Sequence, residues 1–125
     1  MGVELPMRGS QSRTMEKMDS TALLEILRDR SARIDERDDA AMDLGNSDDD
    51  RVLDALLELG AQSDDDDMVL GSIGESIAHI AARADKFDPS WLTALASPTV
   101  DELVGSLRAL RPDLLGDQSP NQKRA

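Results

Sequence analysis

The sequence of 125 residues predicts an all-α fold of five to six helices arranged as antiparallel hairpins. Apolar side chains recur at steps of three and four residues in five or six segments, and no segment alternates as a strand would. Apart from Phe87 and Trp91 the apolar residues are aliphatic, whereas sheets are enriched in aromatic residues. Short polar turns between the segments favour antiparallel packing of neighbouring helices.

One folded domain is expected over residues 17–115, between segments at 1–16 and 116–125 that are too polar to form a core. We expect both flanking segments to be disordered, and Met15 is an alternative to Met1 as the start of the protein. The chain has no cysteine, so neither a disulfide nor a thiolate metal site is expected. No apolar run approaches the roughly 20 residues of a membrane span. These features predict a cytoplasmic protein that makes no membrane contact.

Capping acids and glycines delimit the first two predicted helices. The first begins at Asp19 or Ser20 and extends to about Arg30. The second is capped by Asp35 and stopped by Gly45, because Asp favours the N-cap and Gly the position after a helix. The predicted inner face of the second helix consists of Arg37, Ala40, Ala41 and Leu44.

The next two predicted helices cover about residues 49–59 and 66–84. Gly71 and Gly74 lie inside the longer of them, where each costs about 1 kcal/mol relative to Ala. We therefore expect these glycines at a bend or at a close contact with a neighbouring helix.

Two proline-containing segments predict the last two helices. A short helix occupies residues 88–96, because Asp88 can cap it and a proline follows at the first helical position. The final helix begins at Pro98, and Thr99 with Glu102 fits the capping-box pattern.

The net charge of −12 is concentrated in residues 35–67. That window holds 14 acidic and two basic side chains, whereas the rest of the chain holds 12 of each. Its negative potential favours a basic protein and opposes nucleic acid. One Asp suffices for a cap, so capping does not explain the additional aspartates in the runs at 48–50 and 64–67. These aspartates indicate partner contact, and the alternative interpretation is that both runs are solvated capping loops. The candidate partner-binding residues are Glu36, Asp39, Asp43, Asp48, Asp49, Asp50, Asp54, Glu58, Asp64, Asp65, Asp66 and Asp67.

The sequence contains no motif for catalysis or for a cofactor. Neither aspartate run fits a calcium loop, because Leu53 or Val69 occupies the sixth position, where Gly is required. His79 and Glu75 share a helix face, but two ligands fall short of the three or four of a zinc site. We therefore predict a non-enzymatic binding protein without cofactor or metal, with an enzyme or metal-binding module as alternatives.

Three consecutive segments carry a resemblance to a known family. Residues 40–45 are small and end in Leu-Gly, residues 48–50 are an acidic turn, and residues 52–57 are rich in Leu. This succession resembles a HEAT-type helical repeat, in which Arg37 and Ala40 would correspond to the Arg and Ala that the family carries on the inner side of its first helix. The turn lacks the family's usual Pro. The resemblance implies an array of helical hairpins.

The whole chain also resembles small acidic HEAT-like proteins of high-GC bacteria, some of which serve as immunity proteins against toxins. Its preference for Arg over Lys agrees with such an origin. This resemblance implies a protein that covers the basic substrate site of a nuclease-like toxin. The alternative is a general HEAT-like adaptor or assembly subunit.

Overall fold

The computed structural model describes residues 19–118, which form six α-helices, a terminal 3₁₀ helix and no strand. The α-helices are α1 (Ser20–Arg28), α2 (Ile34–Leu44), α3 (Asp50–Gly60), α4 (Asp67–Ala84), α5 (Trp91–Ala94) and α6 (Ser97–Leu110), and the 3₁₀ helix is Pro112–Gln118. The all-α prediction is confirmed. The segment predicted as disordered at 1–16 lies outside the described residues, as does the tail beyond residue 118. None of the helices within the described range is long and apolar enough to cross a bilayer.

The longest helix, α4, forms the centre of the fold. Helices α2, α3 and α6 all pack against it, while α1 packs mainly against α2. Because α4 is covered on several sides, its apolar residues are buried around most of its circumference. The fully buried members are Val69, Leu70, Ile73, Ile77, Ala78 and Ala81.

Helices α2 and α3, which the HEAT-type resemblance would pair as a hairpin, both pack against α4 and make few contacts with each other. The small residues of α2 serve this contact with α4. The Ser76 hydroxyl of α4 donates a hydrogen bond of 2.6 Å to the carbonyl of Ala41, and a Cβ at Gly45 would lie 2.7 Å from the Ser76 Oγ. The expected HEAT-like hairpin arrangement is therefore not confirmed.

Close contact between α4 and α6 explains the glycines of α4. A Cβ at Gly74 would lie 3.0 Å from the carbonyl carbon of Thr99 and closer still to its oxygen. At Gly71 it would lie 3.2 Å from the Glu102 Cγ. Of the two roles expected for these glycines, the structure shows the close contact.

Three helix starts follow the expected capping pattern. Asp19 accepts a hydrogen bond from the Thr21 N–H at the start of α1. Asp49 accepts one from the Arg51 N–H at α3, and Asp66 caps α4. The carboxylates of Asp19 and Asp49 each satisfy one of the N–H groups that lack a partner in the first turn, and Asp66 satisfies two.

Two other capping predictions are wrong. Asp35 lies inside the first turn of α2 and accepts hydrogen bonds from Arg33, which precedes the helix without capping it. The predicted capping box at Thr99 does not form, because α6 begins earlier and Thr99 is buried in its first turn. The Thr99 hydroxyl donates a 2.9 Å hydrogen bond to the Gly60 carbonyl, which also accepts the Ala96 N–H.

The Asp88-Pro89 pair forms a turn that precedes α5 and does not begin the helix directly. The Asp88 carboxylate accepts a 2.9 Å hydrogen bond from the Ser90 N–H, and α5 follows as a single helical turn. The capping interaction expected of Asp88 is thus made, but it lies just before the helix.

Candidate binding surface

The predicted partner-binding residues do not form one continuous patch. Asp48 lies 3.8 Å from Arg83, so the 48–50 run is at the C-terminal end of α4. The 64–67 run precedes the N-terminal end of the same helix. With a rise of 1.5 Å per residue, about 24 Å of helix axis separates Asp67 from Arg83. The predicted partner-binding residues of α2, all exposed, form a third group: Glu36, Asp39 and Asp43.

Much of the 64–67 run serves the fold. Asp66 caps α4, and Asp64 lies 3.3 Å from Arg30. Asp65 is buried, with a side chain only 3% exposed, and therefore cannot contact a partner. We leave Asp65 out of the candidate surface, although the sequence pattern placed it there.

Asp65 instead forms a buried ion pair with Arg37. The Arg37 Nη1 and Nη2 donate to the two carboxylate oxygens at 2.8 and 2.7 Å, while Nε and Nη2 donate to the Leu27 carbonyl. These hydrogen bonds lower the pKa of Asp65 and raise the pKa of Arg37, so both groups stay charged. The pair joins the end of α1, the body of α2 and the turn before α4.

An acidic cleft of about 230 Å³ lies between the start of α3 and the end of α4. Its charged lining consists of Asp48, Asp49, Asp50 and Asp54, opposed by Arg83 and Lys86. We call the surface that these residues form the acidic cleft. Four carboxylates against two cations make the cleft negative.

Several carboxylates of the acidic cleft face solvent without a strong ion pair. Asp48 is 97% exposed, and its distance of 3.8 Å from Arg83 is too long for a hydrogen bond. Asp50 and Asp54 are exposed and make no ion pair with any residue between 19 and 118. Like charges held close together repel, so the cleft is suited to bind cationic groups.

Hydrogen bonds from Arg51 lower the pKa of Asp49 to about 2. We expect Arg51→Gln to raise that pKa toward the ordinary value of 3.8, because the Arg51 side chain is the largest cause of the shift. A carboxyl-detected NMR titration of Asp49 would measure it, with Arg83→Gln as the control that leaves this pKa in place. A pKa still near 2 in Arg51→Gln would assign the effect to the N-cap hydrogen bond alone.

The sign of this shift determines how Asp49 affects stability. A carboxyl whose folded pKa lies below its unfolded pKa contributes stability above the unfolded value. That contribution is lost as the pH falls from about 3.8 toward about 2. At neutral pH the cap and the charge of Asp49 are both fully present.

A second concavity of about 250 Å³ lies between α2 and α4, and its lining includes Asp43, Glu75 and His79. The His79 Nε2 lies 3.8 Å from a Glu75 carboxylate oxygen, so the two residues meet as their helical spacing predicts. Across residues 19–118, no three His, Asp or Glu side chains are placed to hold a metal ion.

An aromatic groove of about 510 Å³ adjoins the acidic cleft, and Leu53, Asp54 and Lys86 line both. Its other lining residues are Leu57, Asp85, Phe87, Asp88 and Trp91. Phe87 and Trp91 meet edge to face, with ring centroids 5.6 Å apart. We call the surface that these residues form the aromatic groove.

Trp91 lies within the short helix predicted over residues 88–96, but no sequence pattern indicated the groove. The two aromatic residues of the chain are four positions apart and flank the Asp88-Pro89 turn. This spacing is the one pattern from which their contact could have been inferred.

Comparison of the chain with protein-family models, curated proteins and solved structures finds no significant match.

Proposed function

We propose that this chain is a non-catalytic, acidic protein-binding module of the cytoplasm whose partner is a basic protein. The acidic cleft is the observation that supports the proposal most directly. The partner that we propose is a nuclease-like toxin, which the chain would neutralise as an immunity protein. This more specific function and a HEAT-like relationship rest on the sequence resemblance.

The overall charge favours such a partner. Residues 19–118 contain 24 acidic and nine basic side chains. A field of one sign raises the rate at which an oppositely charged protein associates, and it repels phosphates. The proposed partner is therefore a protein and not a nucleic acid.

The acidic cleft is complementary in charge to the substrate site of a nuclease. Such a site presents Lys and Arg side chains that neutralise phosphates. Carboxylates of Asp48, Asp50 and Asp54 can take the place of these phosphates, because they are exposed and lack strong partners on their own chain. Binding there would block the substrate.

Neutralising the acidic cleft is expected to slow association with the partner. We expect Asp48→Asn/Asp50→Asn/Asp54→Asn to lower the association rate at low salt by roughly tenfold, with a smaller effect at high salt, because electrostatic steering is screened. The partner is first captured with the wild-type chain as bait and identified by mass spectrometry. Stopped-flow mixing over a range of salt concentrations then measures the rate.

The matched control is Glu25→Gln/Asp101→Asn/Glu102→Gln, which neutralises three exposed carboxylates outside the acidic cleft. It should change the rate much less. Equal rates for the two triple variants, or a rate insensitive to salt, would contradict binding through the cleft.

Co-expression separates the immunity function from that of a general adaptor. The captured partner, expressed alone, should arrest growth, and the wild-type chain should restore it better than the Asp48→Asn/Asp50→Asn/Asp54→Asn variant. A partner without toxicity would favour the alternative function of this chain, that of an adaptor or assembly subunit.

A further inference from the structure

We infer that the aromatic groove receives an arginine side chain of the basic partner, with its guanidinium against Trp91 or Phe87 and near the carboxylates of Asp54 and Asp88. This inference rests on the proposed function, because it names the part of the surface that would anchor a basic protein and the residue type that the partner would use.

The charges of the aromatic groove complement a cation. Its lining contains three carboxylates and one cation, Lys86. Asp85 forms an ion pair of 2.7 Å with Arg111, which also pairs with Asp113. Asp54 and Asp88 form no ion pair with any of the residues that the structure describes. The Ser90 N–H holds the pKa of Asp88 below its ordinary value, so this carboxylate is ionised at neutral pH.

The aromatic side chains favour arginine over lysine. Phe87 and Trp91 are half-buried and pack against the apolar core, which holds them in place. A guanidinium is planar and weakly hydrated, so it can lie on an aromatic ring while it donates hydrogen bonds to carboxylates. An ammonium is a compact and strongly hydrated charge, and it gains less from this arrangement.

The groove is also continuous with the acidic cleft. Because Asp54 lines both, a segment with one arginine in the groove would place its neighbouring basic residues along the cleft. Buried aromatic and arginine residues are the commonest sites of high binding energy in protein interfaces. The groove would thus provide the anchor, and the cleft would provide the long-range attraction.

Octaarginine and octalysine peptides test the inference without knowledge of the partner. Trp91 is the only tryptophan of the chain, so its fluorescence reports directly on the groove. We expect octaarginine to change the Trp91 emission in a saturable way and to bind roughly two- to fivefold more tightly than octalysine, as a cation–π contact at a partly exposed site predicts. Isothermal titration calorimetry measures the two affinities independently of the fluorescence.

Two double variants identify the site. Asp54→Asn/Asp88→Asn should weaken octaarginine binding clearly more than Asp101→Asn/Glu102→Gln, which removes the same charge outside the groove. Binding of octaarginine with unchanged Trp91 emission would overturn the groove and leave the acidic cleft as the binding site. Equal losses in the two variants would overturn both sites, because Asp54 lines both. Absence of binding by either peptide at low salt would contradict the proposed function as well.

Discussion

Asp65→Ala is expected to destabilise the protein by about 3–5 kcal/mol, the usual result when one partner of a buried ion pair is removed. The remaining Arg37 side chain is only 2% exposed, and its guanidinium cannot lose its proton to escape the cost of burial. Urea unfolding followed by circular dichroism at neutral pH would measure the loss.

Two further variants test whether the loss of stability comes from leaving a buried charge without a partner. Arg37→Met should be destabilising but less so, because the orphaned Asp65 can take up a proton. The double variant Arg37→Met/Asp65→Leu should recover most of the stability, since a packed apolar pair often replaces a buried ion pair without loss.

The pair Arg33–Asp35 serves as the surface control. It has the same 2.7 Å separation, but its side chains are 73% and 64% exposed. Asp35→Ala should therefore change stability little, because exposed ion pairs are screened by solvent. A similar loss for Asp35→Ala and Asp65→Ala would contradict the role assigned to burial.

The buried pair also predicts how stability responds to acid. Hydrogen bonds from Arg37 lower the folded-state pKa of Asp65 below its ordinary value of 3.8. Its contribution to the free energy of unfolding is therefore complete above that value and disappears as the pH falls through the folded pKa. The stability difference between the wild type and Asp65→Ala should narrow below pH 3.8 and stay constant above it.

Gly74→Ala is expected to destabilise the protein by about 1–3 kcal/mol, the usual cost of overpacking a tight contact. Helix propensity alone would favour Ala by about 1 kcal/mol. The added methyl group would overlap the backbone carbonyl of Thr99, which cannot rotate away as a side chain could. Helix α6 would have to move, and the hydrogen bond from Thr99 to Gly60 would weaken with it.

Gly105→Ala is the matched control. Gly105 also lies inside a helix, but a Cβ there comes within 4 Å of no other helix in the described part of the chain. This variant should be more stable than the wild type by about 1 kcal/mol, the propensity gain without the clash. Thermal unfolding of both variants measures the contrast. Equal stabilisation by the two substitutions would show that α4 and α6 are not in close contact at Gly74.

Local patterns accounted for most of the helices. The aspartates that cap α1, α3 and α4 act within two or three residues, so their effect is visible in the sequence. The inner face of α2 was predicted correctly: Arg37, Ala40, Ala41 and Leu44 are all buried. Thr99 shows the limit of this reasoning, because its hydroxyl bonds a residue 39 positions away and not the start of its own helix.

The sequence by itself determined that the chain is helical, where most helices begin and end, and that its negative charge lies in residues 35–67. Only the tertiary structure decided which acids are available to a partner. Asp65 and Asp48 look alike in the sequence, yet one is buried against Arg37 and the other is 97% exposed at the acidic cleft. The physical reason is that burial and ion pairing depend on contacts between helices, whereas helix formation and net charge depend on local residues and composition.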